Sequence, residues 1–283
     1  MPAKTLKLKA IGSFLIVLSI SAAFVASPGT NLGNLINAET DFSRMSVEGS
    51  RADAANKYFA ENCLVLRRGE ELNGKKAWNS QPQDTSKLSW YAARADMSSS
   101  GSMGYTTGPW QMKEGPHSKE AGAFGEYVTV WTKDAKGLWR VILDIGISYK
   151  KPDVAEKRAV DHLLKPATAG SLKTLAAAET ALNSAAAGDK AAIYKTYVSS
   201  SIEVLRPNEL PYLEQDAALA RIATDSNISN YATKSVSNSG NLGYAYGTID
   251  RQAADGKTVK RNYMHIWKLE KGQWKLVVDV VTG

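Results

Sequence analysis

The chain carries one unit twice, and that duplication limits its fold more than any other feature. Ala38-Glu39-Thr40 recurs as Ala178-Glu179-Thr180. Residues 63–72 align with 201–210, placing Arg68 opposite Arg206 and Glu71 opposite Glu209. Gly101-Ser-Met-Gly104-Tyr105-Thr-Thr-Gly108 returns as Gly240-Asn-Leu-Gly243-Tyr244-Ala-Tyr-Gly247. Tyr127, Trp131, Gly137, Trp139 and Asp144 find partners in Tyr263, Trp267, Gly272, Trp274 and Asp279. The offset shrinks from 140 to 135 residues along the chain, as a few loop deletions would cause. A period of this length is too long for a solenoid and describes two copies of one domain. Each copy is long enough to bury a core of its own.

Within a copy, the pattern begins helical and ends in strands. Leu32, Leu35 or Ile36, Glu39, Phe42 and Met45 share one helical face, matched by Leu172, Leu175, Glu179, Leu182 and Ala186. Second helices are expected over 51–61 and 189–198. Strands follow at 89–98, 104–110, 125–133 and 138–148, and in the second copy at 229–237, 243–250, 262–269 and 273–282. Short Gly-containing loops between alternating aromatic and β-branched runs mark the last two strands of each copy as hairpins. Helices followed by an antiparallel sheet give an α+β class. The domains are expected at 31–149 and 171–283, joined by a connector over 150–170 that Lys150-Lys151-Pro152 and Lys165-Pro166-Ala167 punctuate.

The N-terminus reads differently. Lys4, Lys7 and Lys9 precede an apolar run from Ala10 to Val25, then small residues, Pro28 and Gly29. As a helix that run would span roughly 24 Å, short of a ~30 Å hydrocarbon core. Residues 1–26 are therefore expected to be a secretory signal peptide, the alternative being an uncleaved anchor. The expected location is periplasmic or secreted, with membrane contact only if the segment is kept. Three of the cations behind the formal charge of +7 lie in this segment. The modest excess left over does not argue for nucleic acid binding. Cys63 is the single cysteine, which excludes an internal disulfide and a thiolate zinc site.

The helical start, the G-x-x-G-Y-x-x-G strand, Tyr-x-x-x-Trp, a Gly turn, a Trp and a terminal-strand Asp together resemble the SnoaL-like, or nuclear-transport-factor-2-like, superfamily. The similarity is greatest to its ketosteroid-isomerase-like members of unknown function. The resemblance implies two tandem cone-shaped domains, each a curved antiparallel sheet wrapped around N-terminal helices. The cones would form an intrachain version of the family's usual homodimer. It also implies an apolar pocket in each cone, in a family that holds isomerases, dehydratases, polyketide cyclases and non-enzymatic binding modules.

The candidate residues lie on the late strands. Tyr127 and Trp131 share a strand face, as do Tyr263, His265 and Trp267. Packing and pocket-lining are both open to the tryptophans, and packing is favoured because they repeat. Asp144 and Asp279 interrupt apolar strands, where a carboxylate must be paired or face a cavity. Pairing with Arg68 and Arg206 is the structural expectation; a raised pKa in a dry pocket is the catalytic one. His265 replaces Thr129, so His265, Tyr263 and Asp279 form a candidate acid–base set in the second copy. Tyr105, Tyr127, Trp131, Asp144, Tyr244 and Trp267 are the candidate ligand-binding residues. Three dispersed histidines give no metal-ligand spacing, and no cofactor is expected. Neither a P-loop nor a G-x-S-x-G elbow is present. Small-molecule binding in one or both cones is the expected function. The alternatives are an isomerase- or dehydratase-type enzyme with its site in the second domain and a non-catalytic cell-envelope interaction module.

Overall fold

The computed structural model describes residues 28–80, 85–115, 117–152, 161–162, 170–184, 190–253 and 255–283. The expected signal segment and most of the expected connector lie outside the described residues. Domain 1 opens with helices α1 (Pro28–Glu48) and α2 (Arg51–Tyr58). It continues through β1 (Phe59–Arg67), β2 (Glu70–Asn73) and α3 (Gly74–Asn79). Strands β3 (Lys87–Trp90), β4 (Arg94–Met97), β5 (Met103–Lys113), β6 (Ala123–Lys133) and β7 (Trp139–Tyr149) complete it. A two-residue strand, β8 (Asp161–His162), adds to the edge of β4. Domain 2 has helices α4 (Leu172–Asn183) and α5 (Lys190–Tyr197), strand β9 (Val198–Leu205) and helix α6 (Gln215–Ala223). Strands β10 (Ile228–Ser239), β11 (Leu242–Gln252), β12 (Thr258–Glu270) and β13 (Gln273–Val281) follow.

The class is α+β with two sheets, ordered β2-β1-β7-β6-β5-β4-β8 and β10-β11-β12-β13-β9, with β3 also paired to β5. The sheets are mixed rather than purely antiparallel, which corrects the expectation. β1 lies parallel to β7, and β9 parallel to β13. Most of a domain separates each of these pairs in sequence. A crossover that long permits the parallel pairing that a hairpin forbids.

Each sheet has an inner face under its own helices and an outer face toward the other domain. On β6, Trp131 packs inward with Leu32, Leu35 and Phe42 of α1, whereas Val128 and Val130 pack outward. On β12, Trp267 packs inward with Leu175 and Leu182 of α4, and Met264 and Ile266 outward. The outer faces share one core, in which Leu66, Leu143 and Ile145 meet Leu205, Val278 and Val280. Among the described residues, two ion pairs with a buried carboxylate cross this interface. Lys268 Nζ lies 2.8 Å from Asp96 Oδ2, and Arg94 Nη1 lies 3.7 Å from Glu203 Oε2. Asn262 accepts from Gly69 N at 2.7 Å, and Asn241 accepts from Ser99 N at 2.8 Å.

The repeated glycine motif now has a physical reason. A Cβ on Gly104 would sit 2.4 Å from Leu35 Cδ2, and one on Gly243 would sit 2.4 Å from Leu175 Cδ2. The bare backbone lets the first helix of each domain lie directly on its sheet.

Candidate functional site

In domain 2, Glu179 of α4 sits in the apolar stripe of its helix, among Leu175, Ala178 and Leu182. A carboxylate so buried must be matched by donors. Tyr263 donates to it at 3.0 Å, Trp267 Nε1 at 2.9 Å and Asn183 at 2.6 Å. His265 Nδ1 lies 3.0 Å from Glu179 Oε2, and its Nε2 lies 3.6 Å from Asp279 Oδ1. The imidazole therefore bridges two carboxylates. Burial works against its charge, but Glu179 and Asp279 outweigh burial and push its pKa up to about 9. Glu179 and Asp279 are both held below the usual carboxylate range: burial opposes this, but His265 outweighs it at Glu179, and Arg206 with His265 at Asp279.

Arg206 continues the chain of charges. Its Nη1 and Nη2 donate to Asp279 at 3.0 and 2.8 Å, and its Nε to Asp225 at 2.9 Å. Arg221 joins Asp225 to Glu209. This arrangement is an alternating ion network whose central groups are out of water. The hydrogen bonds hold each group in one orientation.

Domain 1 has the same frame with different chemistry. Glu39 of α1 accepts from Trp90, from Thr106 and, at 3.1 Å, from Trp131 Nε1. These are neutral donors. Burial pushes Glu39 up to about 7, outweighing the hydrogen bonds that favour its ionised form. Sheet register sets Thr129 opposite Asp144, just as His265 stands opposite Asp279. Thr129 donates to Asp144 Oδ1 at 2.8 Å. With no cation beside it among the described residues, Asp144 is pushed up to about 6 by burial. Asp144 is only half-buried, and Gly146 and Ser148, next along the same face, are exposed. Tyr127 Oη lies near Thr106 but makes no hydrogen bond of normal geometry.

The expected residues divide clearly. His265, Tyr263, Trp267 and Asp279 share one inner face, as do Tyr127, Trp131 and Asp144. Tyr105 and Tyr244 do not join them. Both pack into the interdomain core, because the glycine before each faces the helix and strand alternation turns the tyrosine outward. The expected ion pair exists in domain 2 as Arg206–Asp279 and is missing from domain 1. Asp144 stands beside Val65 as Asp279 stands beside Val204, so the true counterpart of Arg206 is Arg67, which is exposed, as is Arg68. Sequence reasoning missed Glu39 and Glu179 as polar centres. The signal was a glutamate repeated inside an apolar helical stripe.

No protein-family model and no curated protein matches the sequence. Solved structures do. The chain is similar in fold to NTF2-like proteins. A ketosteroid isomerase-like protein from Erwinia carotovora atroseptica is 14% identical, over 39% of this chain and 94% of its own, at a TM-score of 0.32. A scytalone dehydratase candidate from Novosphingobium aromaticivorans is 13% identical, over 49% and 96%, at 0.35. An NTF2-like protein from Cytophaga hutchinsonii is 13% identical, over 40% and 98%, at 0.33. Each match spans nearly all of the smaller protein and about a domain's length of this one. The NTF2-like similarity concerns fold and carries nothing about substrate.

Proposed function

We propose that this protein binds a small molecule on the inner face of domain 1, and that domain 2 serves as its structural partner. One contrast supports the reading. Asp144 is half-open with a single neutral donor, whereas its counterpart Asp279 is fully buried between Arg206 and His265. A polar group left incompletely matched beside an aromatic wall is the usual chemistry of a ligand site. Trp90 and Tyr127 form part of that wall, their rings 6.4 Å apart. In domain 2 the equivalent positions are occupied by the protein's own charges.

A second reading is proton transfer of isomerase or dehydratase type. It is favoured by one observation, the Asp144 carboxyl pushed up to about 6, within range of a general base near neutral pH. That moves the candidate chemistry from His265, Tyr263 and Asp279 to domain 1. An exported setting, proposed from the N-terminal segment, fits either reading. The test is untargeted mass spectrometry of small molecules released from the purified protein, with Asp144→Asn as comparison. A compound carried by the wild type and lost in the variant supports binding at Asp144. A compound retained equally by both argues against this site.

A further inference from the structure

The two domains answer the same problem differently. Domain 2 has a glutamate from its first helix and an aspartate from its last strand, and a cation spans them. His265 Nδ1 is 3.0 Å from Glu179, and Nε2 is 3.6 Å from Asp279. Domain 1 keeps both carboxyls, Glu39 and Asp144, and keeps Trp131 where domain 2 has Trp267. Both cations at the aspartate are gone: Thr129 stands in place of His265, and Arg67, the counterpart of Arg206, is exposed. Glu39 is supplied by neutral donors. Asp144 receives one hydrogen bond, from Thr129.

A second observation points to an occupant. Tyr127 is 7% exposed, and its hydroxyl, near Thr106, makes no hydrogen bond of normal geometry. It lies on the same inner face as Thr129, one cross-strand diagonal from Asp144, about 7–8 Å apart along the sheet. A buried phenol left without a well-formed hydrogen bond costs free energy unless something meets it. Trp90 stands edge-on to its ring. A half-open carboxylate, a buried hydroxyl and two aromatic rings suit a positively charged nitrogen carried on an apolar body.

We propose that the inner face of domain 1 takes a small organic cation, an ammonium or imidazolium. Its charged nitrogen would meet Asp144 beside Tyr127, in the position that His265 fills in domain 2. The proposal rests on the binding reading above and names the ligand's chemistry. The ligand takes the part of the missing imidazolium, and the hydrogen bond from Thr129 orients the carboxylate that receives it. A hydrogen bond to a charged group is worth more than one to a neutral group, which predicts about a 10- to 100-fold preference for the cation.

The experiment is isothermal titration of the full chain with benzylammonium and, separately, with its neutral analogue benzyl alcohol. Benzylammonium is expected to bind the wild type more tightly than benzyl alcohol by the preference above. Asp144→Asn, which keeps the acceptor for Thr129, should abolish that preference. Thr129→His places the protein's own imidazole at the site and should displace both probes; melting curves of both variants check that they fold. Equal affinity for the two probes overturns the cation proposal and leaves the binding reading standing. If neither probe binds but mass spectrometry finds a neutral compound dependent on Asp144, the cation proposal again falls alone. If neither probe binds and no compound is found, both fall. Benzylammonium binding that survives Asp144→Asn and Thr129→His unchanged places the cation elsewhere and also overturns the proposal.

Discussion

Lys268→Met removes the cation that meets Asp96 across the domain interface. Asp96 is fully buried, and Lys268 is 5% exposed. Methionine keeps most of the apolar stem, so the change isolates the charge. Burial already raises the Asp96 pKa, against the pull of Lys268 and the hydrogen bond from Met97 N. Without Lys268 the carboxylate stands uncompensated between two packed sheets. Breaking one half of a buried pair costs about 3–5 kcal/mol. The assay is urea denaturation at pH 7 and at pH 5. The sign of the pH effect follows from linkage. A carboxyl raised above its unfolded value penalises folding when ionised, and the penalty shrinks as pH falls toward the unfolded value. The variant should therefore recover part of its loss at pH 5. Adding Asp96→Leu should recover most of it at both pH values. A loss below about 1 kcal/mol at pH 7, the scale of an exposed pair, would refute the argument. So would a loss that did not shrink on acidification.

Three further outcomes are expected. Arg206→Met should destabilise the protein by about 3–5 kcal/mol at pH 7, because it removes the cation shared by two buried aspartates and leaves, among the described residues, Asp279 paired with His265 alone and Asp225 with Arg221 alone; thermal melting reads it. The raised His265 pKa contributes stability that is whole below about 6.5 and is lost as pH rises through about 9, a difference on the order of 3 kcal/mol. His265→Gln should flatten that alkaline decline in melting temperature. Glu39 gives a slope of the same sign at lower pH: its ionisation costs stability as pH rises from about 4.5 to 7. Glu39→Gln should remove that slope, at a pH-independent cost because its single amide oxygen can accept on only one of the two sides where Trp90 and Trp131 donate; melting curves across this range would record both effects.

The duplication, the first helices and the late hairpins were legible because they depend on local pattern; β1, β2, α3, β9 and α6 were not, and the helix expected over 51–61 gives way to β1 at Phe59. Period-two alternation placed Tyr263, His265 and Trp267 together, and the structure keeps them together. What the pattern could not give was the side on which a strand meets its helix. Tyr105 and Tyr244 face the other domain because Gly104 and Gly243 yield to leucines more than sixty residues away in sequence. The pairing of β1 with β7 was hidden for a similar reason, since a parallel edge strand leaves no turn signal. Aligning Arg68 with Arg206 missed the true register by one residue, and in a strand one residue exchanges inside for outside. Glu39 and Glu179 were visible as repeated letters, but their role depends on donors brought from distant strands.

The ion pairs Lys268–Asp96 and Arg94–Glu203 have no equivalent in the other direction across the interface. By sheet register, the counterparts of Lys268 and Asp96 are Thr132 and Ser237, and those of Arg94 and Glu203 are Ser235 and Leu64. In a dimer of identical chains every substitution would be made twice, on both sides of the axis. Joining the copies in one polypeptide lifts that constraint. Each half is then free to specialise, and a division of labour between a rigid support and a receptive partner becomes open to a fold that symmetry would otherwise keep uniform.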